Sequence, residues 1–187
     1  MKKFFIVTIL IVLAQVSKAQ GTVDLTVRWN SNVNRYEVYG KPSFSSTSFT
    51  WGTSQVSVVV PSTAPDITLN IVSSNAGGWS TFNKIYAPSS APSFDFHSII
   101  SSGQPVSLVA NQEILLFSFT FPDGLCRNGV RLFVNGSDPS SSAAGMQGGD
   151  FKNAIDNGLV MDVYQANYNN TGTNCSTCNI VAPELIK

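Results

Sequence analysis

The stretch that decides the fold is EILLFSFTF, residues 113–121. It has an apolar residue at nearly every step, and after Glu113 only Ser118 and Thr120 interrupt it. A run this apolar is typical of a central strand, which is covered on both faces. The two-residue period of a strand places Phe117 and Phe119 on one face and Leu116 and Ser118 on the other. We therefore expect both phenylalanines to lie on the buried face of the sheet.

Weaker alternating patterns predict further strands on both sides of this run. Residues 23–30 alternate apolar and polar side chains, and the turn at residues 31–34 leads into a second strand, which predicts a hairpin. Residues 55–60 and 67–72 predict two more strands, and these four segments together predict a meander. Other strands are predicted at residues 79–86, 93–100, 130–134 and 160–164.

One short helix is predicted at residues 150–157. Asp150 would cap its first turn, Gly158 would end it, and Phe151 and Ile155 would form an apolar pair one turn apart. A Ser/Gly-rich stretch before it, residues 140–149, predicts a loop. Eight or so short strands with at most one helix and no β-α alternation predict an all-β antiparallel sandwich or jelly roll.

The composition favours an extracellular β-protein. The 187 residues suffice for one core, and the charged share of 12% is half the usual value of roughly 25%. Ser, Thr, Asn and Gly supply the remaining polar surface. Three cysteines, one histidine and no block of like charge argue against a histidine-rich metal centre and against a nucleic-acid groove.

The first nineteen residues have the pattern of a signal peptide. Lys2 and Lys3 precede an apolar run at residues 4–16, and Ser17 and Ala19 are small residues at the positions that signal peptidase recognises. The run is shorter than the roughly 20 residues that cross a bilayer, and no cysteine follows Ala19, so neither a membrane span nor a lipoprotein is expected. An uncleaved anchor is the alternative.

Three segments are therefore predicted: a signal peptide at residues 1–19, a β-sandwich at 20–166 and a polar, cysteine-containing tail at 167–187. Cleavage after Ala19 removes three lysines and leaves eight basic against eleven acidic side chains, a net charge of −3. We expect a secreted or cell-surface protein with no attraction for anionic partners.

A set of short motifs extends across most of residues 22–165. They are FTWG at 49–52, QVSVVVP at 55–61, IYAP at 85–88, LFSF at 116–119, GVRLFVNGSDP at 129–139, AAGM at 143–146 and GDF at 149–151. In this combination the chain resembles secreted Bacteroidetes-type proteins whose modules share a cohesin-like or carbohydrate-binding-like β-sandwich. The resemblance implies that fold and an extracellular role, without a catalytic signature. Such modules often precede a C-terminal sorting domain, whereas this sequence ends soon after the module.

The three cysteines predict a disulfide, because an oxidising compartment does not leave all of them reduced. Cys126 could pair with Cys175 or Cys178, or Cys175 could pair with Cys178. We favour a bond from Cys126 to the tail, since closing a loop of about 50 residues stabilises by roughly 4 kcal/mol in the chain-entropy model. One cysteine is left over in every case, and it could be buried or link two chains.

Two groups of polar residues are candidate sites. Asp95 and His97 fall on one face of a predicted strand, but no strained nucleophile turn accompanies them, so they indicate a surface pair rather than a triad. Asp138, Asp150 and Asp156 belong to an acidic loop cluster that could hold a structural calcium ion. Helix caps and Asx-turns are the alternative explanation for these carboxylates. No other cofactor is predicted.

Aromatic side chains suggest sugar binding, because flat rings stack on pyranose faces. The predicted platform consists of Trp51, Trp79, Phe82 and Tyr86; Trp29, Tyr36 and Tyr39 are further candidates. The leading hypothesis is a secreted, non-enzymatic module that acts in adhesion, matrix or surface assembly, with an extracellular protein or polysaccharide as partner. A carbohydrate-binding module is the second hypothesis, and a small secreted hydrolase is the third.

The signal pattern predicts a mature protein that begins at Gln20. Mass spectrometry of the exported protein should give the mass of residues 20–187. Retention of Met1 or Lys2 would contradict cleavage and favour the uncleaved anchor.

Overall fold

The computed structural model describes residues 21–64, 66–74, 77–159 and 161–175. The predicted signal peptide and Cys178 lie outside these ranges. The described residues contain no helix, and hence none that could span a membrane. Their strands are β1 (Val23–Asn30), β2 (Arg35–Pro42), β3 (Ser46–Thr50), β4 (Gln55–Pro61), β5 (Asn70–Ser73), β6 (Trp79–Ile85), β7 (Phe94–Ser101), β8 (Pro105–Leu108), β9 (Ile114–Thr120), β10 (Arg131–Leu132) and β11 (Tyr164–Asn167).

Two sheets form a sandwich, which confirms the predicted all-β class. The five-stranded sheet has the order β11-β1-β2-β9-β5, and the four-stranded sheet has the order β10-β4-β7-β6. β3 and β8 form a separate two-stranded sheet. Apolar side chains from both main sheets, such as Val27, Val58 and Ile99, belong to one buried core.

The apolar run at residues 113–121 contains β9, which pairs with β2 on one side and β5 on the other. Phe117 and Phe119 are both buried in the main core, as predicted. Leu116 lies there as well, contrary to the simple alternation. The pairing of β9 with β2 shifts register beside Leu116, and a bulge of this kind turns two successive side chains toward the same side.

The predicted meander is wrong. β1 and β2 form the expected hairpin, with Val27 opposite Val38, but β4 belongs to the other sheet and β5 pairs with β9. Alternation identifies strands without identifying their partners. The predicted strands at residues 130–134 and 160–164 also differ, because β10 keeps only two residues and β11 begins at Tyr164.

An irregular layer formed by residues 133–155 covers the outer face of the four-stranded sheet. Val59 and Phe96 point to that face and pack with Met146 and Phe151 in a second, smaller core. The rings of Phe96 and Phe151 are 5.7 Å apart between centroids. The predicted Ser/Gly-rich loop is therefore part of a structural cover.

The predicted helix at residues 150–157 is wrong. Ala154 exchanges two backbone hydrogen bonds with Gln55 at the start of β4, so the chain is extended at this point. Phe151 consequently packs in the covering layer and Ile155 in the main core. A helix would have placed these two side chains on one side.

The tail is joined to the sandwich by the disulfide Cys126–Cys175, which spans 49 positions of sequence. This is one of the two pairings that we favoured. Backbone hydrogen bonds between Thr173 and both Gly129 and Val130 accompany it. Residues 170–175 therefore pack as an added edge beside β10 and the residues before it.

We expect Phe119→Ala to lower the free energy of unfolding by about 3–5 kcal/mol, because it removes a large buried side chain. Phe82→Ala is the matched control: its ring is 66% exposed, so its loss should stay within about 0.5 kcal/mol. Denaturant titration of the mature chain measures both values. Small and equal losses would mean that the most apolar run does not form the core strand.

Candidate functional site

Two of the four residues in the predicted aromatic platform are buried. Trp51 is 0% and Trp79 is 4% exposed. Their rings contact each other at 6.4 Å, and they pack against Phe49 and Phe117 at 5.0 and 5.4 Å. Rings enclosed in this way cannot stack on a sugar, so the predicted platform is wrong for both tryptophans.

The other two platform residues differ from each other. Phe82 is exposed, because the pairing of β6 with β7 shifts register between Thr81 and Asn83. Tyr86 is half-buried; its hydroxyl donates to the Ile67 carbonyl at 3.0 Å, and its ring packs edge-on against His97. Of the four, Phe82 alone presents an exposed ring.

The three aspartates of the predicted calcium site serve separate turns. Asp138 pairs with Arg131 at 2.6 Å, Asp150 accepts from the Lys152 amide at 3.0 Å, and Asp156 accepts from the Gly158 amide at 2.7 Å. Within the described part of the chain, no three acidic, histidine or cysteine side chains gather as metal ligands. Asp150 and Asp156 thus form Asx-turns, as the alternative explanation predicts, whereas Asp138 forms an ion pair.

Asp95 and His97 are buried in β7 rather than forming a surface pair. Asp95 accepts a hydrogen bond from the Ala87 amide at 2.9 Å, and burial raises its pKa. Among the described residues, none forms a hydrogen bond with His97 Nδ1. Burial, helped by the positive charge of Lys84, lowers the pKa of His97 to about 4. His97 is a neutral core residue at physiological pH.

On the outer face of the five-stranded sheet, polar side chains gather around β1 and β2. Val27 on β1 and Val38 on β2 point to the core. Because side chains alternate along a strand, the residues next to each of them point outward. This outward side meets polar residues from two distant segments. We call the resulting set the polar face: it comprises Arg28, Tyr39, Lys41, Glu113 and Tyr168.

Direct contacts join the members of the polar face. Arg28 Nη2 lies 2.6 Å from Glu113 Oε2, and the Arg28 guanidinium lies 4.0 Å from the centre of the Tyr39 ring. The Tyr168 hydroxyl donates to Glu113 Oε1 at 2.8 Å. Lys41 Nζ lies 5.8 Å from the centre of the Tyr168 ring. The hairpin, the start of β9 and the tail therefore meet at one surface.

The electrostatics of the polar face favour defined protonation states. The hydrogen bond from Arg28 lowers the pKa of Glu113, against the opposing effect of burial. Burial and then the hydrogen bond to Glu113 raise the pKa of Tyr168. At neutral pH the face thus combines an ionised carboxylate with a neutral phenol that donates to it.

A cleft of about 360 Å³ adjoins the polar face at the turn between β1 and β2. We call it the hairpin cleft; it is lined by Arg28, Trp29, Asn30, Ser31, Asn32, Glu37 and Tyr39. Glu37 is buried and accepts hydrogen bonds from the Tyr39 hydroxyl at 2.6 Å, from Asn30 Nδ2 at 3.0 Å and from Arg35 Nε at 2.9 Å.

These donors determine the charge of Glu37. Burial alone would raise its pKa, but the hydrogen bonds from Tyr39, Asn30 and Arg35 outweigh that effect and lower it. The carboxylate is therefore ionised and held in one orientation. It fixes the positions of the tyrosine and the asparagine at the edge of the cleft.

A second cleft, of about 440 Å³, lies at the other end of β1. Phe44, Phe49, Thr50 and Leu159 contribute to its walls, and its described lining contains no charged side chain. It offers hydroxyl groups and apolar contacts without the fixed polar geometry of the hairpin cleft.

The polar face was not predicted from the sequence, although Trp29 and Tyr39 are among the predicted aromatic candidates. The polar positions of the alternating pattern in residues 23–42 could have indicated Arg28, Glu37 and Lys41. No local pattern connects them with Glu113 or Tyr168, which are brought there by β9 and by the tail.

No family model, curated protein or solved structure matches this chain. The function is therefore inferred from the geometry of the molecule.

We expect the free energy of unfolding to fall as the pH is lowered from about 6.5 toward 4. Over this range the unfolded chain protonates His97, whereas the folded chain, in which its pKa is about 4, does not. The shift from 6.5 corresponds to a loss of about 3 kcal/mol. Denaturant titrations across this pH range measure it.

His97→Gln is the control for this prediction, because glutamine does not titrate. The raised pKa of Asp95 acts in the opposite direction and is present in both proteins. The variant should therefore lose stability less steeply than the wild-type chain on acidification. Identical slopes would show that His97 does not titrate with a lowered pKa.

Proposed function

We propose that the protein is a secreted, non-enzymatic binding module that acts in adhesion, matrix or cell-surface assembly through the polar face and the hairpin cleft. One observation carries this proposal: the two sheets differ in their outer faces. Residues 133–155 cover the four-stranded sheet with an apolar layer, whereas the five-stranded sheet presents connected polar side chains to solvent.

The polar face suits binding because its side chains are already ordered. Arg28 is held by Glu113 and Tyr39, and Glu37 holds Tyr39 in turn. Groups fixed on strands before a ligand arrives lose little conformational freedom when it binds. A partner that matches their spacing therefore gains most of the contact energy.

The disulfide Cys126–Cys175 supports an oxidising location, where such bonds persist. The signal peptide at residues 1–19 and the resemblance to secreted Bacteroidetes-type modules point the same way and remain predictions. Extracellular protein and polysaccharide are both suitable partners for an open, polar sheet face.

Carbohydrate binding is the second candidate, and the hairpin cleft favours it. Tyr39 supplies aromatic surface beside the amides of Asn30 and Asn32 and the guanidinium of Arg28. The ring of Trp29 instead packs on Tyr36, 4.9 Å away, on the core side of the hairpin. Aromatic rings next to planar hydrogen-bonding groups match the apolar faces and hydroxyl edges of sugars.

Replacing Arg28 tests the binding surface. We expect Arg28→Ala to weaken binding at least about tenfold, because the change removes a donor and frees both Glu113 and Tyr39. The mature chain is applied to a glycan array and to immobilised extracellular-matrix protein. Binding to the array alone selects the carbohydrate hypothesis.

Arg127→Ala is the matched control for this measurement. Arg127 also pairs with a carboxylate, Asp123 at 2.7 Å, and also lies over a ring, Phe121 at 4.1 Å, but outside the polar face. Its replacement should change binding by less than about twofold. Equal losses for the two variants would refute the assignment of the surface.

A further inference from the structure

Tyr168 is the only member of the polar face that comes from the tail. Its amide donates to the Leu25 carbonyl at 2.9 Å, and its hydroxyl donates to Glu113. Through Glu113 it is connected to Arg28, the residue whose replacement tests the binding surface. The position of Tyr168 therefore bears directly on Glu113 and, through it, on Arg28.

The segment that follows Tyr168 is held by polar contacts. Asn170 accepts from the Leu132 amide at 2.7 Å and donates to the Leu132 carbonyl at 2.9 Å, imitating a strand partner for β10. Thr173 donates to the Val130 carbonyl at 2.8 Å and accepts from the Gly129 amide at 2.9 Å.

Apolar burial contributes little to holding this segment. Residues 169–174 have the sequence NNTGTN, with no apolar side chain larger than a threonine methyl group. Hydrogen bonds near the surface open easily when no buried side chain anchors them. The covalent bond from Cys175 to Cys126 is one contact of this segment that such opening does not break.

We propose that the Cys126–Cys175 disulfide positions Tyr168 on the polar face, so that the oxidised chain binds its ligand more tightly than the reduced chain. The proposal rests on the proposed function for the ligand and adds a redox control of the same site. A dithiol reductant would donate two electrons and two protons, giving two cysteine thiols while its own sulfurs form a disulfide. Tyr168 is thus a binding residue, and the disulfide acts through it.

The test compares oxidised and reduced protein in a Cys178→Ser background, which removes the third thiol and prevents exchange among three cysteines. Hydrogen exchange is followed at the amides of Tyr168 and Thr173. We expect reduction to accelerate their exchange at least about tenfold and to leave the Val38 and Val58 amides in the core unchanged. Unchanged exchange at Tyr168 and Thr173 would overturn the proposal without any ligand present.

Binding to the glycan array and to immobilised matrix protein is then measured in both redox states. We expect reduction to weaken binding at least about threefold, and to have no further effect in a Tyr168→Phe variant, which lacks the hydroxyl that reaches Glu113. A purely structural disulfide would weaken both proteins equally, and that result would overturn the proposal.

The two readouts separate this proposal from the proposed function. If neither redox state binds either surface, the proposed function fails, while the exchange rates still decide whether the disulfide positions Tyr168. Absorbance titration of the phenols supplies a ligand-free check. Release of Tyr168 from burial and from Glu113 should return its raised pKa toward the ordinary value near 10.

Discussion

Tyr36 connects the core of this protein to the Cys126–Cys175 disulfide. Its ring stacks on Phe119 at 4.8 Å with an interplanar angle of 8°, between the paired strands β2 and β9. Its hydroxyl donates to the Arg127 carbonyl at 2.8 Å, next to Cys126. The pairing of β2 with β9 therefore also places the cysteine that holds the tail. Burial raises the pKa of Tyr36 and keeps the phenol a neutral donor.

The two outer faces of the sandwich differ because apolar side chains must be covered, whereas polar side chains can stay in contact with water. β7 carries apolar residues at alternate outward positions, among them Phe96, and these require cover. Residues 133–155 provide it with Phe133 and Phe151. β1 and β2 carry Arg28 and Tyr39 at their outward positions, and water or a ligand can satisfy these groups. One face is therefore closed and structural, and the other remains available.

Much of the fold could be predicted from local patterns. The strength of the run at residues 113–121 identified β9 and the burial of Phe117 and Phe119, and alternation identified the first hairpin. The sheet partners and the fate of residues 150–157 could not be predicted, because Ala154 forms its hydrogen bonds with Gln55, about a hundred positions earlier. Local capping signals give no information about hydrogen bonds to residues so far away in the sequence.

The candidate site was less predictable for the same reason. Burial of Trp51 and Trp79 depends on neighbours contributed by β3 and β9, so their aromatic character alone could not distinguish core from platform. Two aspartates of the calcium hypothesis, Asp150 and Asp156, form the Asx-turns that were the alternative explanation. Glu113 and Tyr168 carried no local signal, because their role arises only when distant segments meet.

Arg28 and Arg127 show why position, rather than residue type, distinguishes the proposed binding surface. Each guanidinium lies over an aromatic ring and pairs with a carboxylate. The partner of Arg127, Asp123, is only four positions away, so this ion pair is a local contact within one loop. The partner of Arg28 is 85 positions away and also receives Tyr168 from the tail. Such long-range convergence orders an exposed surface that the core does not require, and ordered polar groups at an open face are what recognition of a partner needs.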